Sequence, residues 1–151
     1  MYEALLNEAQ HQGVDVHEKS MSSRIKGLYA DGVVWINCRI SRASKKTCIL
    51  AEELGHHHTS AGNIMDLTDI RNRKQELRAR EWAYRRLVPL EKIVEAYRAG
   101  VSNRHELAEY LGVTEEFLQA ALKRYREKYG TYAMVDKHIV YFDPLAVAEL
   151  F

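Results

Sequence analysis

The stretch Cys48-Ile-Leu-Ala-Glu-Glu-Leu-Gly-His-His-His-Thr59 constrains this chain more than any other. It reads as one helix, with Leu50 and Leu54 forming an apolar side supported by Ile49. Glu52, Glu53, His56 and His57 are the wrong residues for a simple amphipathic surface. Glu52 and His56 are four apart, so on a helix one stands above the other on a single face. Two metal-ligating side chains at that spacing reach one ion. Glu53 lies about 100° further round and leans over the same ion without being held by it. Ligand, general base, ligand is the order of the H-E-x-x-H metal-binding helix. Here the pattern is E-E-x-x-H: a carboxylate, itself an acceptable zinc ligand, stands for the first imidazole. A second register, Glu53 with His57, has the same spacing, and an ordinary i, i+4 surface ion pair is the plain alternative to both.

A third ligand is expected downstream, and Glu76, twenty positions after His56, is the candidate. It opens Glu76-Leu-Arg-Ala-Arg-Glu-Trp-Ala-Tyr-Arg-Arg-Leu-Val-Pro89, a helical run that stops near Pro89. Glu76, Ala79, Ala83 and Leu87 make one stripe at helical spacing. The small alanines let this helix pack close to the first and bring Glu76 to the ion. Two ligands from one helix and one from its neighbour leave a fourth position for water, as catalytic zinc requires.

Ala51-Glu-Glu-Leu-Gly-His56 followed by E-x-x-A-x-x-W-A-x-x-x-L-x-P over Glu76–Pro89 resembles the ImmA/IrrE family of metallo-endopeptidases. The family pattern is A-H-E-L-G-H, then E-x-x-A-N-x-F-A-x-x-L-L-x-P. The shared positions are Ala51, Glu53, Leu54, Gly55, His56, Glu76, Ala79, Ala83, Leu87 and Pro89, and Trp82 keeps the aromatic. The departures are Glu52 for His, Arg80 for Asn and Arg86 for Leu. The resemblance covers roughly residues 1–90, and small phage and prophage members are similar in carrying E-E-L-G-H. It implies a zincin-like core in which Glu52, His56 and Glu76 hold Zn²⁺ and Glu53 activates water. It also implies a hairpin that walls the substrate cleft, and a protein substrate, typically the transcriptional repressor of a phage or mobile element. Two carboxylates with one imidazole leave the ion's nearest ligands formally neutral, which predicts a weaker Lewis acid than a His₂Glu site.

Taken in order, residues 2–12 predict a helix burying Leu5, Leu6, Ala9 and Tyr2 and ending at Gly13. Val14-Asp-Val16 reads as a connector. Residues 24–29 and 33–38 predict strands of a hairpin turning at Asp31-Gly32. Ser41 or Ser44 is expected to cap the helix over the histidines. Residues 59–72 read as a loop, long enough to suggest a role. Beyond Pro89, helices are expected over 90–99, 103–111 and 114–129, the last burying Phe117, Leu118, Ala121, Leu122 and Tyr125. A hairpin over 131–135 and 139–142 follows, and a short helical turn after Asp143-Pro144. The tight turn at Gly112 with a terminal hairpin resembles a winged helix-turn-helix. The expected fold class is thus α+β and mainly helical, with a metallopeptidase core over 1–89 and a helix-turn-helix-like tail over 90–151.

Composition limits the partners. With 22 basic and 21 acidic residues the net charge is +1, so no global bias points to nucleic acid or membrane. Cys38 and Cys48 form no C-x-x-C pair, which with the absence of a signal-like start and of any long apolar run predicts a cytoplasmic protein. The start of the second tail helix, Thr114-Glu-Glu116, would repel phosphates, so DNA reading by the tail is disfavoured against protein docking. Seven basic side chains, Arg71, Arg73, Lys74, Arg78, Arg80, Arg85 and Arg86, read as a solvated face or as a docking patch for an acidic partner. His57, His58 and Tyr84 are secondary site candidates; Asp66 and Asp69 could support His56. The rival functional reading is a non-catalytic regulator that uses this fold to bind a repressor or DNA.

Overall fold

A computed structural model describes residues 1–59 and 70–150. The chain divides into two compact units, Met1–Ala83 and Tyr84–Phe151, each with its own sheet. The class is α+β.

In the first unit, α1 (Tyr2–His11) leads into β1 (Asp15–Lys19), β2 (Gly27–Ala30) and β3 (Val33–Asn37), then α2 (Ala43–Thr59) and α3 (Ile70–Leu87), whose final turn belongs to the second unit. The sheet order is β1-β3-β2. β2 and β3 form the expected hairpin, with Leu28 opposite Trp35, and Asp31 and Gly32 take φ of 47° and 77°. Both values lie in the left-handed region that a tight two-residue hairpin needs. β1 corrects the connector expected at Val14–Val16: it pairs in parallel with β3, Val16 opposite Val34. Its sequence, Asp-Val-His-Glu-Lys, is exposed at four of five positions, so it carries no apolar alternation to betray a strand.

The core of this unit is built from Leu5, Ala9, Val14, Val34, Ile36, Leu50 and Leu54, where α1 and the sheet pack on α2. Buried Asn37 ties the chain between β1 and β2 to the sheet, its amide donating to the carbonyls of Met21, Ser22 and Ile25 at 3.2, 3.1 and 2.9 Å. α2 begins at Ala43, so Ser44 lies inside it, and the Arg42 carbonyl accepts the bond from Lys46 N–H. α3 begins at Ile70, six residues before the expected start at Glu76. Arg71, Asn72, Arg73 and Lys74 give no apolar periodicity by which to detect that extension. The expected loop lies mostly outside the described residues, as do Asp66 and Asp69.

In the second unit, α4 (Leu90–Arg98), α5 (Arg104–Leu111) and α6 (Glu115–Tyr129) precede an antiparallel sheet of β4 (Tyr132–Val135), β5 (His138–Phe142) and β6 (Leu145–Glu149). Asn103 caps α5, accepting from Glu106 N–H at 2.8 Å, while the Glu106 carboxylate accepts from Ser102 N–H, one residue before the cap, at 3.1 Å. Thr114 caps α6 through Phe117 N–H at 3.1 Å. Gly112 supplies the left-handed turn between the two helices at φ 73°. The residues expected to be buried on α6 are all buried, and Tyr125 donates its hydroxyl hydrogen bond to the Val88 carbonyl at 2.8 Å. β6 overturns the helical turn expected after Pro144: Leu145–Glu149 pairs with β5, Val147 opposite Val140. A five-residue run of small and apolar residues does not distinguish helix from strand by periodicity.

Candidate metal centre

α2 carries its unusual residues into the protein interior because almost every side of it is covered. Cys48, Ile49, Leu50, Ala51, Leu54, Gly55 and His56 are all buried. β2 lies against it from one side: a Cβ on Gly27 would stand 2.7 Å from Ile49 Cγ2 and 3.3 Å from Glu53 Cγ. α3 lies against it from another: a Cβ on Gly55 would run into the Ala79 backbone, 2.9 Å from its carbonyl carbon and 3.0 Å from its Cα. Ala79 and Ala83, both buried, form the facing stripe. The small residues of the two motifs thus set the helix spacing.

At that spacing His56 meets Glu76. The imidazole Nε2–H donates to Glu76 Oε2 at 3.1 Å, with the His56 side chain almost fully buried. Glu76 keeps a second partner on its own helix, Arg80, whose Nε stands 3.4 Å from Oε1. Glu52 and Glu53 are largely buried and close enough to act electrostatically on both His56 and Glu76, and among the described residues no hydrogen bond reaches either carboxylate.

The charges act on one another accordingly. Burial raises the pKa of Glu52 against the pull of Arg80, its strongest neighbouring cation. Burial likewise pushes Glu53 up to about 7, with Glu52 and Glu76 adding to the rise and His56 opposing it. Burial alone would lower His56; the hydrogen bond with Glu76 and the charges of Glu53, Glu76 and Glu52 reverse this and leave it raised. The hydrogen bond from His56, reinforced by Arg80, lowers Glu76.

These directions fix a pH response for the metal-free protein. An unfolded Glu titrates at about 4.3, so Glu53 holds in the fold a proton that the unfolded chain releases between there and about 7. Stability contributed by this group therefore falls as pH rises across that window. His56 acts in the same sense: its contribution is whole below the unfolded value of about 6.5 and is lost as pH rises through the higher folded value. Glu76 acts at the acid end, with a contribution present above about 4.3 and lost as pH falls through its depressed folded value. In chelator, the urea midpoint is expected to be lower at pH 8 than at pH 6, and Glu53→Gln to shrink the difference. A wild-type midpoint that rises between those pH values contradicts this account.

His56 and Glu76 suit a divalent cation. Donor atoms on adjacent corners of a tetrahedral zinc are about 3.3 Å apart, close to the 3.1 Å seen here. Partly buried Glu52 and Glu53 add the anionic charge that a cation offsets. Among the described residues, however, no three His, Cys, Asp or Glu side chains converge as a finished metal site. His56 and Glu76 are brought together; Glu52 is in the pocket but not drawn in with them.

The other candidates divide. His57 turns from this pair to the hairpin, its Nδ1 at 2.8 Å from the Tyr29 hydroxyl, which also accepts from Gly32 N–H at 3.3 Å. His58 stacks on Trp82 with centroids 4.6 Å apart and planes 22° apart, and burial lowers its pKa. Tyr84 belongs to the second unit, where its ring packs edge-on against Phe117. Two partners were not assigned to the site from sequence. Arg80 was legible through its i, i+4 spacing from Glu76; Tyr29, 28 positions from His57, left no local signal.

An E-E-x-x-H helix, its glutamate-bearing neighbour and a flanking β-hairpin suit a protein of metallopeptidase type. The family model of the IrrE N-terminal-like domain, Peptidase M78, matches residues 9–123. The chain belongs to that family. No curated protein matches the chain. Among the described residues no helix is long and apolar enough to cross a membrane.

Proposed function

We propose that this protein is a zinc-dependent endopeptidase of a phage or mobile element, acting in the cytoplasm on a protein substrate such as a helix-turn-helix repressor. Glu52, His56 and Glu76 would hold the ion, in a zincin-like core followed by a winged-helix-like tail. The observation that carries the reading is the His56–Glu76 pair at 3.1 Å, joined across two helices with Glu53 in the same pocket. When bound, the ion supplies Lewis acidity. Glu53 takes the proton from the water that attacks the peptide carbonyl. β2 is the edge strand of its sheet and lies against α2, so an extended substrate would add to the sheet along the β2 edge.

The first test is elemental analysis of protein purified without added metal. Near-stoichiometric zinc is expected in wild type, with a loss of at least tenfold in His56→Ala, because one of three ligands is removed. Wild type that stays empty after incubation with zinc transfers the function to the rival reading, a regulator that binds its partner without catalysis. In that reading DNA remains the weaker partner. Glu115 at the start of α6 is engaged by His105, 2.5 Å from its Nδ1, and Glu116 stands beside it. Both carboxylates oppose phosphate there.

A further inference from the structure

The Arg80 guanidinium on α3 is paired with a proposed metal ligand, Glu76. We propose that Arg80 is an internal counter-cation that competes with the metal for Glu76, so that loading requires its guanidinium to leave the site. The inference rests on the zinc-site reading above and adds a residue that sets how tightly the site is filled.

The geometry is specific. Glu76 divides its two oxygens, Oε2 to His56 at 3.1 Å and Oε1 to Arg80 at 3.4 Å. Glu N-terminal to a cation at i, i+4 is the favourable order on a helix, so α3 itself aims Arg80 at this carboxylate. Arg80 is also the strongest opposite charge acting on Glu52. One cation therefore acts on both carboxylates that would join His56 around an ion. Glu52 and Glu76 thus share one neighbouring positive charge, which a bound cation would have to replace. Two of the three departures from the family pattern, Glu52 and Arg80, add one negative and one positive charge that act on each other. They offset each other in the metal-free state and no longer do so once a divalent cation enters.

Arg80 is held loosely enough to leave. Its side chain is 53% exposed and that of Glu76 24%. The guanidinium end of the pair faces solvent, so swinging it outward costs little. Left near the ion, a fixed positive charge repels it across a partly buried pocket, where screening is weak. Competition of this kind lowers affinity without abolishing it.

The test is zinc affinity of the full chain, measured by competition with a chromophoric chelator, for wild type, Arg80→Gln and Arg80→Lys. Arg80→Gln keeps a polar, hydrogen-bonding side chain on the same stem and removes the charge; it is expected to bind zinc about tenfold more tightly. Arg80→Lys keeps the charge and is expected to stay within about twofold of wild type. Thermal unfolding of the metal-free variants confirms that each is folded. Zinc binding by Arg80→Gln but not by wild type supports the inference while removing the zinc-enzyme reading of the natural protein. Tight binding by wild type with no gain, or a loss, in Arg80→Gln overturns the inference and leaves that reading in place; Arg80 would then serve to position Glu76. Tightening in Arg80→Lys equal to that in Arg80→Gln overturns it as well, because charge would not be the cause. No zinc binding by any of the three overturns both.

Discussion

Gly55→Ala is expected to destabilise the first unit by about 3 kcal/mol, towards the upper end of overpacking costs. Two effects of opposite sign meet at this residue. Glycine inside a helix costs up to about 1 kcal/mol relative to alanine, so on propensity alone the substitution is stabilising. Against that, the new Cβ would stand 2.9 Å from the Ala79 carbonyl carbon and closer still to its oxygen. The obstacle is backbone in the middle of α3, not the end of a flexible side chain, so it cannot turn aside. The helices must separate, and the buried alanines at 79 and 83 leave no larger side chain to refill the gap. The steric term therefore wins. A loss of this size corresponds to a fall in melting temperature of roughly 10–20 °C for a unit this small, measured by calorimetry in chelator. A melting temperature at or above wild type would show that α2 and α3 do not approach as closely as described. Separation would also open the His56–Glu76 hydrogen bond, so zinc affinity is expected to fall with stability, although neither ligand is changed.

The same close approach explains how much was legible in the sequence. Gly55 and the alanine stripe at 79 and 83 are spaced for two helices in contact, and that spacing announced His56 beside Glu76. Helix ends marked by local chemistry were equally readable: Asn103, Thr114 and Gly112 each perform a job set by their own side chain or backbone. β1 was hidden because its pairing with β3 depends on backbone bonds, while its side chains point mostly to solvent. β6 was hidden because Leu-Ala-Val-Ala-Glu suits either element until β5 lies beside it. In the site, spacing along a helix gave which residues share a face, as for Glu52 with His56; the same spacing joins Glu76 to Arg80, a pairing not drawn from the sequence. It could not give how the charges share partners, with one guanidinium 3.4 Å from Glu76 and acting on Glu52 as well. That depends on a balance of charges across two helices and a strand.

Glu53→Gln is expected to lower the cleavage rate of the proposed repressor substrate by about a thousandfold while leaving zinc content unchanged. General-base catalysis is worth roughly 10²–10⁴-fold, and glutamine keeps the shape of the side chain while losing its capacity to take a proton. Glu53 is suited to that task because α2 and β2 enclose it: Gly27 brings the strand to within contact of its stem, and burial pushes the carboxyl up to about 7. A base with a pKa near the working pH is both ionised often enough and basic enough to accept a proton. The unchanged zinc content separates this role from that of a ligand. If Glu53→Gln lost its zinc, the ion would be held in the other register, by Glu53 and His57. The structure weighs against that register, since His57 is turned to Tyr29 at 2.8 Å whereas His56 is the residue that meets Glu76. Measuring turnover and metal content on the same preparation therefore tests the chemistry and the register together. Equal cleavage by wild type and Glu53→Gln would remove Glu53 from the mechanism whatever the metal content.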